Sequence, residues 1–262
     1  MINKDIDVNV EEGIAWVVFD RPHVSNAVRP ETMQALCEAL DAVSGDESVR
    51  AIILTGNGRH FAAGADFAWL EELIGAKTEE TRKALYEWFV GAARRLWRCP
   101  KPTIAAVNGA AVTVGCELSL MCDVRLTTES TVFHESWLKL GLMPPLGGTV
   151  LLPRLIGFGR ASEMILDTKA VGGREAVQIG LASELVEPTQ LRQRAAERAQ
   201  ALMRFPMRSY RTAKEALRRP LDADMEREWQ ANVIAQSLLL DTEEFRHRVL
   251  GLKAQRTKAD PT

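Results

Sequence analysis

The chain has 262 residues, 46% of them hydrophobic, enough to bury one large core or a core plus a small appendage. Its 33 Lys and Arg stand against 35 Asp and Glu, a net charge of −2, which excludes a general bias toward nucleic acid or an anionic surface. No apolar run reaches bilayer-spanning length, the N-terminus lacks a signal-peptide pattern, and Cys37, Cys99, Cys116 and Cys122 form neither a CxxC pair nor a disulfide framework, so the expectation is a reduced cytoplasmic protein.

Taken in order, Val8–Val10 and Ile14–Asp20 read as a hairpin across Glu11-Glu12-Gly13. Arg21–Arg29 reads as loop, and Pro30 suits the first turn of a helix that Gly45 ends, with Met33, Leu36, Leu40 and Val43 as its buried stripe. A strand follows at Ala51–Thr55, then a Gly56-Asn57-Gly58 turn. In Arg59–Leu73 the small residues Ala62, Ala63, Gly64 and Ala65 let a ligand approach the backbone, and Asp66 starts a helix with Phe67, Leu70 and Leu73 or Ile74 on one face. Lys77–Arg98 is helix-like throughout.

The stretch Pro102–Asp123 holds the chemistry. Thr103–Val107 is a buried strand, Asn108-Gly109 breaks it, and Val114, Leu118 and Met121 recur at helical spacing. The first helical turn has amides without intrahelical acceptors and a dipole that favours negative charge, and Glu117 lies within about a turn of it. Glu117 is either an ordinary first-turn glutamate or an acid/base group facing those amides. Together with the corner before Asp66, two strand-to-helix corners are each placed to give one amide to a single carbonyl oxygen.

Downstream, Val124–Thr127 and Thr131–Phe133 read as strands, and a helix begins at Gly172–Ala176 and ends at Gly180 before Ser183–Val186. Pro188 leads into helices at Leu191–Met203, Met207–Leu217 and about Asp222–Leu240, and Phe245, Val249 and Leu252 stripe the last segment. Alternating strands and helices argue for an α/β core. The four histidines show no zinc spacing, so no metal is expected.

Several motifs together resemble the crotonase superfamily, the enoyl-CoA hydratase/isomerase family: FxAGAD at Phe61–Asp66, KPxIAAVNG at Lys101–Gly109, GCEL with CD at Gly115–Leu118 and Cys122-Asp123, KLGLxP at Lys139–Pro144, and GGTxxLPRLIG at Gly147–Gly157. The resemblance implies an α/β spiral of repeated ββα units over residues 1–188, with a helical oligomerisation region over 189–262. It implies an acyl-CoA thioester as substrate, coenzyme A entering only as part of that substrate, and self-association as a homotrimer or a dimer of trimers. By residue, it implies an oxyanion hole from the Ala65 and Val114 amides, Glu117 as acid/base, and substrate binding at Asn26, Ala27, Ala63, Asp66 and Pro144. Trp69, Tyr86, Trp88 and Phe89 fall in the region that shapes the acyl pocket.

Two departures bear on the reaction. Hydratases of the family read F-x-x-P-E-x-x-L-G, and the place of that second glutamate is held here by Trp137, in Phe133-His134-Glu135-Ser136-Trp137. Trp137 is either a space-filler or a flat wall for a planar acyl group, and Glu135, two residues earlier, stands in for the missing glutamate only if the loop is rearranged. A tryptophan here also resembles chlorobenzoyl-CoA dehalogenase, but the place of that enzyme's aspartate nucleophile is Pro145. The second departure is Thr113-Val114 where hydratases commonly carry glycines; a backbone amide survives such a change if Val114 keeps a negative φ. The resemblance therefore implies hydration of a 2-enoyl-CoA or double-bond isomerisation. The alternatives are a thioester hydrolase or C–C lyase acting on a cyclic or aromatic acyl-CoA, or an acyl-CoA-binding protein without turnover.

Overall fold

The structure is a computed structural model and describes residues 5–259. The chain opens with β1 (Ile6–Glu11) and β2 (Ile14–Phe19), joined antiparallel through Glu12 and Gly13, both at positive φ as a two-residue hairpin turn requires. Helix α1 spans Pro30–Gly45 with the expected apolar stripe buried, and β3 (Ala51–Gly56) follows. Helices α2 (Phe67–Glu72), α3 (Thr78–Ala84) and α4 (Gly91–Arg98) come next, the last two joined by a π-helical turn over Leu85–Val90. Then come β4 (Thr103–Val107), β5 (Ala110–Val112), α5 (Val114–Leu120), β6 (Val124–Thr127) and β7 (Val132–His134). The remainder is α6 (Gly148–Ile156), α7 (Phe158–Leu166), β8 (Val171–Gly172), α8 (Gly173–Gln178), β9 (Glu184–Leu185), α9 (Leu191–Met203), α10 (Met207–Leu239) and α11 (Glu243–Ala259).

Six strands form one sheet in the order β1-β2-β3-β4-β6-β9, parallel from β2 onward, and β5-β7-β8 form a second. From β2 to β6 the larger sheet is buried on both faces, as parallel strands require, while the antiparallel edge strand β1 is largely exposed. Ala15, Val17 and Phe19 of β2 face the main core, while Ile14 and Trp16 join Ile53, Ile104 and Leu126 under α9. Among the described residues no helix is long and apolar enough to cross a membrane.

Three features differ from the sequence reading. The expected strand-turn-helix at Thr103–Met121 contains an extra strand, β5, too short and too poor in β-branched residues to read from pattern. The expected helices at Met207–Leu217 and Asp222–Leu240 are one helix, α10, running through Pro220. Side chains on both sides of that proline hold it in line: Arg218 donates to the Trp97 and Met121 carbonyls, and Asp222 accepts from Trp97 Nε1 at 2.9 Å. These contacts offset the hydrogen bond the ring removes. Finally, α6 and α7 occupy a segment in which no helix is anticipated.

Candidate active site

The site is built where two backbone corners meet. At the first, β5 turns into α5 through Thr113 at φ 48°, ψ −107°, so a β-branched residue carries the positive φ there and Val114 does not. The Thr113 amide donates to His134 O at 2.8 Å and the Glu117 amide to Thr113 O at 3.0 Å, leaving Val114 in the first turn, where helix amides lack an intrahelical acceptor. At the second corner Gly64 takes φ 97°. The Val28 amide donates to Gly64 O and the Asp66 amide to Val28 O, a bridge that does not use the Ala65 amide.

The corners are locked together. Ala62 N donates to Ala110 O at 3.0 Å and Val112 N to Ala62 O at 2.9 Å. A Cβ on Gly64 would stand 2.6 Å from Thr113 Oγ1, and one on Gly115 only 2.3 Å from Ala62 O. The two segments therefore approach as closely as glycine permits.

Beyond them sits Glu117, fully buried. Its Oε1 accepts from the Leu146 amide at 3.0 Å and the Gly148 amide at 2.7 Å, while Oε2 has no partner. Gly148 is needed for this approach, since a Cβ there would stand 3.0 Å from Oε1. Burial pushes the Glu117 carboxyl well above the usual carboxylate range and the nearby Glu135 pushes it further, against the pull of the backbone amides.

Glu135 is also fully buried, and neither of its oxygens has a hydrogen-bond partner. The β5–β7 pairing brings Val112 opposite His134, so the next residue, Glu135, is delivered to the start of α5. Burial raises its carboxyl to about 8, although the Cys116 thiol and Trp137 indole beside it pull the other way without reaching hydrogen-bond geometry. Trp137 is buried too, with its Nε1 unpartnered. Of the two carboxyls only Glu117 accepts amide hydrogen bonds.

The remaining predicted positions divide into groove and frame. Ala27, Ala63, Ala65 and Asp66 line a groove of about 670 Å³, with His23 and Leu252 among its other walls. The Asp66 and Asn26 side chains are committed within the protein. Asp66 accepts from Ala68 N at 2.9 Å, capping α2, and from Arg21 Nη1 at 2.8 Å. Burial alone would raise its carboxyl, but these bonds outweigh it and hold it low. Asn26 ties the loop to the β3 corner through Arg21 N, Asn57 O and His60 O. Trp69 stacks on Phe89 at 4.9 Å between ring centroids, and Pro144 is buried with its carbonyl accepting from Asn232. Tyr86 faces outward, 37% exposed under the Arg94 guanidinium. Sequence reading missed Arg21 and the Leu146 and Gly148 amides; the GGT motif is the only local signal that pointed toward the latter. No three His, Cys, Asp or Glu gather to hold a metal ion among the described residues.

The family profile described as Enoyl-CoA hydratase/isomerase matches residues 9–261, and the chain belongs to that family. It is 31% identical to a crotonyl-CoA hydratase of Syntrophomonas wolfei over 93% of both chains. It is 34% identical to a 4-chlorobenzoyl coenzyme A dehalogenase of an Arthrobacter species, over 78% of this chain and 75% of that one. The fold is the crotonase fold: an enoyl-CoA hydratase/isomerase from Mycobacterium paratuberculosis superposes with a TM-score of 0.88 at 27% identity, covering 95% of this chain and 98% of that one.

Proposed function

We propose that the protein acts on an acyl-CoA thioester, holding the thioester oxygen with the Ala65 and Val114 amides while Glu117 moves a proton. What supports this most is the close contact between the two corners that carry Ala65 and Val114, with the buried carboxyl of Glu117 in the first turn of α5. A negative charge developing on the thioester oxygen is stabilised by about 3 kcal/mol per such donor, and a placed acid/base contributes about 10²–10⁴ in rate. The groove that Ala27, Ala63 and Ala65 line is where the coenzyme A moiety would lie.

The reaction is hydration of a 2-enoyl-CoA or double-bond isomerisation, both of which pass through charge on that oxygen. Dehalogenation is disfavoured, since the buried Pro145 offers no nucleophile. Thioester hydrolysis, C–C cleavage and binding without turnover are separated from these by products. Mass spectrometry after incubation with aliphatic, cyclic and aromatic 2-enoyl-CoA and 3-enoyl-CoA esters should show either one added water or an unchanged mass with altered retention. Free CoA would mark a hydrolase, and esters returned unaltered would mark a binding protein. A Glu117→Gln variant with undiminished turnover would falsify the mechanism. Self-association as a trimer or a dimer of trimers, inferred from family membership, is checked by analytical ultracentrifugation.

A further inference from the structure

The loop that brings the Leu146 and Gly148 amides to Glu117 has neither helix nor strand over residues 141–147, and Pro144 and Pro145 have no amide hydrogen to give. Over residues 143–146 its backbone is fastened by one distant helix. The Met143 amide donates to Gln236 Oε1 at 3.1 Å, the Pro144 carbonyl accepts from Asn232 Nδ2 at 3.2 Å, and the Leu146 carbonyl accepts from Trp229 Nε1 at 2.7 Å. Trp229, Asn232 and Gln236 follow one another at helical spacing on α10, so they share a face, and all three are buried. Met225, one turn earlier, closes on the same loop, since a Cβ on Gly147 would stand 2.7 Å from its Cε. The Trp229 ring is held in turn by the Arg94 guanidinium, 5.2 Å from its centroid, with Arg94 paired to Glu226 at 2.6 Å.

Packing alone asks for an apolar stripe on such a helix, because a buried polar side chain is a cost unless its hydrogen bonds are made. Here three buried polar side chains converge on one loop. Leu146 is gripped from both sides, its amide donating to Glu117 Oε1 and its carbonyl accepting from Trp229.

We propose that Trp229, Asn232 and Gln236 are positioning residues, which fix residues 143–146 so that the Leu146 and Gly148 amides hold the Glu117 carboxyl in its working orientation. This rests on the reading of Glu117 as the group that moves a proton. Hydrogen bonds weaken steeply with distance and angle, so a small drift of the loop releases the carboxyl. A misplacement of about 1 Å can cost about 10²-fold in rate. The groove walls Ala27, Ala63 and Ala65 belong to other segments, so the loss falls on turnover and not on ester binding.

The test compares Trp229→Phe, Asn232→Leu and Gln236→Met, which remove the bonding atom and leave apolar bulk in its place, with Val233→Ala. That last substitution loosens the same stretch of α10 at a buried residue whose side chain has no hydrogen bond to make. On an enoyl-CoA ester that wild type turns over, kcat in the first three should fall about 10–10²-fold with KM within a few fold. Val233→Ala should keep the wild-type kcat per folded molecule. In a Glu117→Gln background the three substitutions should cost nothing further, because they act through that carboxyl. Hydrogen exchange over residues 141–150, which needs no turnover, should be about tenfold faster in the three variants, measured relative to β3 of the same protein. Wild-type kcat or wild-type exchange in the three variants would overturn the proposal. A kcat loss that Val233→Ala shares, or that persists in full on top of Glu117→Gln, would overturn it too, by showing a structural role alone. Undiminished turnover by Glu117→Gln itself strikes instead at the reading beneath it.

Discussion

The two ends of the seven-residue helix α5 both hold carboxyls largely withdrawn from solvent, and they treat them in opposite ways. Just past its C-terminus, Asp123 accepts from Thr103 N and Oγ1, Tyr210 Oη and Lys214 Nζ on one oxygen and from Arg218 Nη2 on the other, at 2.6–3.2 Å. At its start, Glu117 and Glu135 leave three of their four oxygens bare. The satisfied cluster fixes α10 against β4 and α5. The unsatisfied one leaves polar capacity unused within the protein at the start of the same helix. In this molecule, fully paired polarity belongs to the frame, and the buried polarity left open is where the proposed function places the chemistry.

Substitutions can break this contrast at either end. The largest effect is expected from Glu117→Gln, which keeps an acceptor for the Leu146 and Gly148 amides but cannot take a proton. Steady-state kinetics should show kcat reduced by about 10²–10⁴, with a melting temperature at neutral pH no lower than that of wild type. At the other end Asp123→Ala strands Lys214 and Arg218, whose side chains are only 7% and 12% exposed. Chemical denaturation should register a loss of about 3–5 kcal/mol, with kcat per folded molecule retained.

Between the two lies the corner contact. Gly64→Ala forces a Cβ against Thr113 Oγ1 at an unfavourable φ, and should cost about 1–3 kcal/mol of stability as well as activity. Thr113→Gly relieves the positive φ at a β-branched residue, and net of the added chain entropy should stabilise by about 1 kcal/mol, read as a small rise in melting temperature. The smallest effect is in pH. Both carboxyls at the start of α5 are raised on folding, so the stability they contribute is fully present below the unfolded-state pKa and is lost as pH rises through the folded values. Glu135→Gln should therefore gain on wild type in urea midpoint between pH 5.5 and 8.5, and a constant difference would show that Glu135 does not titrate in that range.

Local features made much of the frame legible. The bounds of α1 follow from Pro30 and Gly45, and the hairpin from Glu12-Gly13, because caps and turns are encoded where they occur. The two glycine-lined corners and Glu117 stand out for the same reason. Other features depend on partners far along the chain. Nothing near Glu117 announces that Leu146 and Gly148 will hold it, and nothing near Pro220 announces that Trp97 will brace the helix on both sides. The burial of Glu135 is of this second kind, since it follows from β5, a three-residue strand that local pattern does not reveal, pairing with β7. Asp66 and Asn26 are readable as important positions, but their bonding partners within the protein are not.

The groove beside Ala65 has His23 on one wall and Leu252 on another, and α11 is tied to α2 by Lys253 Nζ and Glu71 Oε1 at 2.6 Å. A groove whose walls come from such distant parts of the chain has no counterpart in a partly synthesised polypeptide. During translation, both corners and Glu117 leave the ribosome long before the wall that Leu252 supplies, so the nascent chain carries them before the groove beside them is complete.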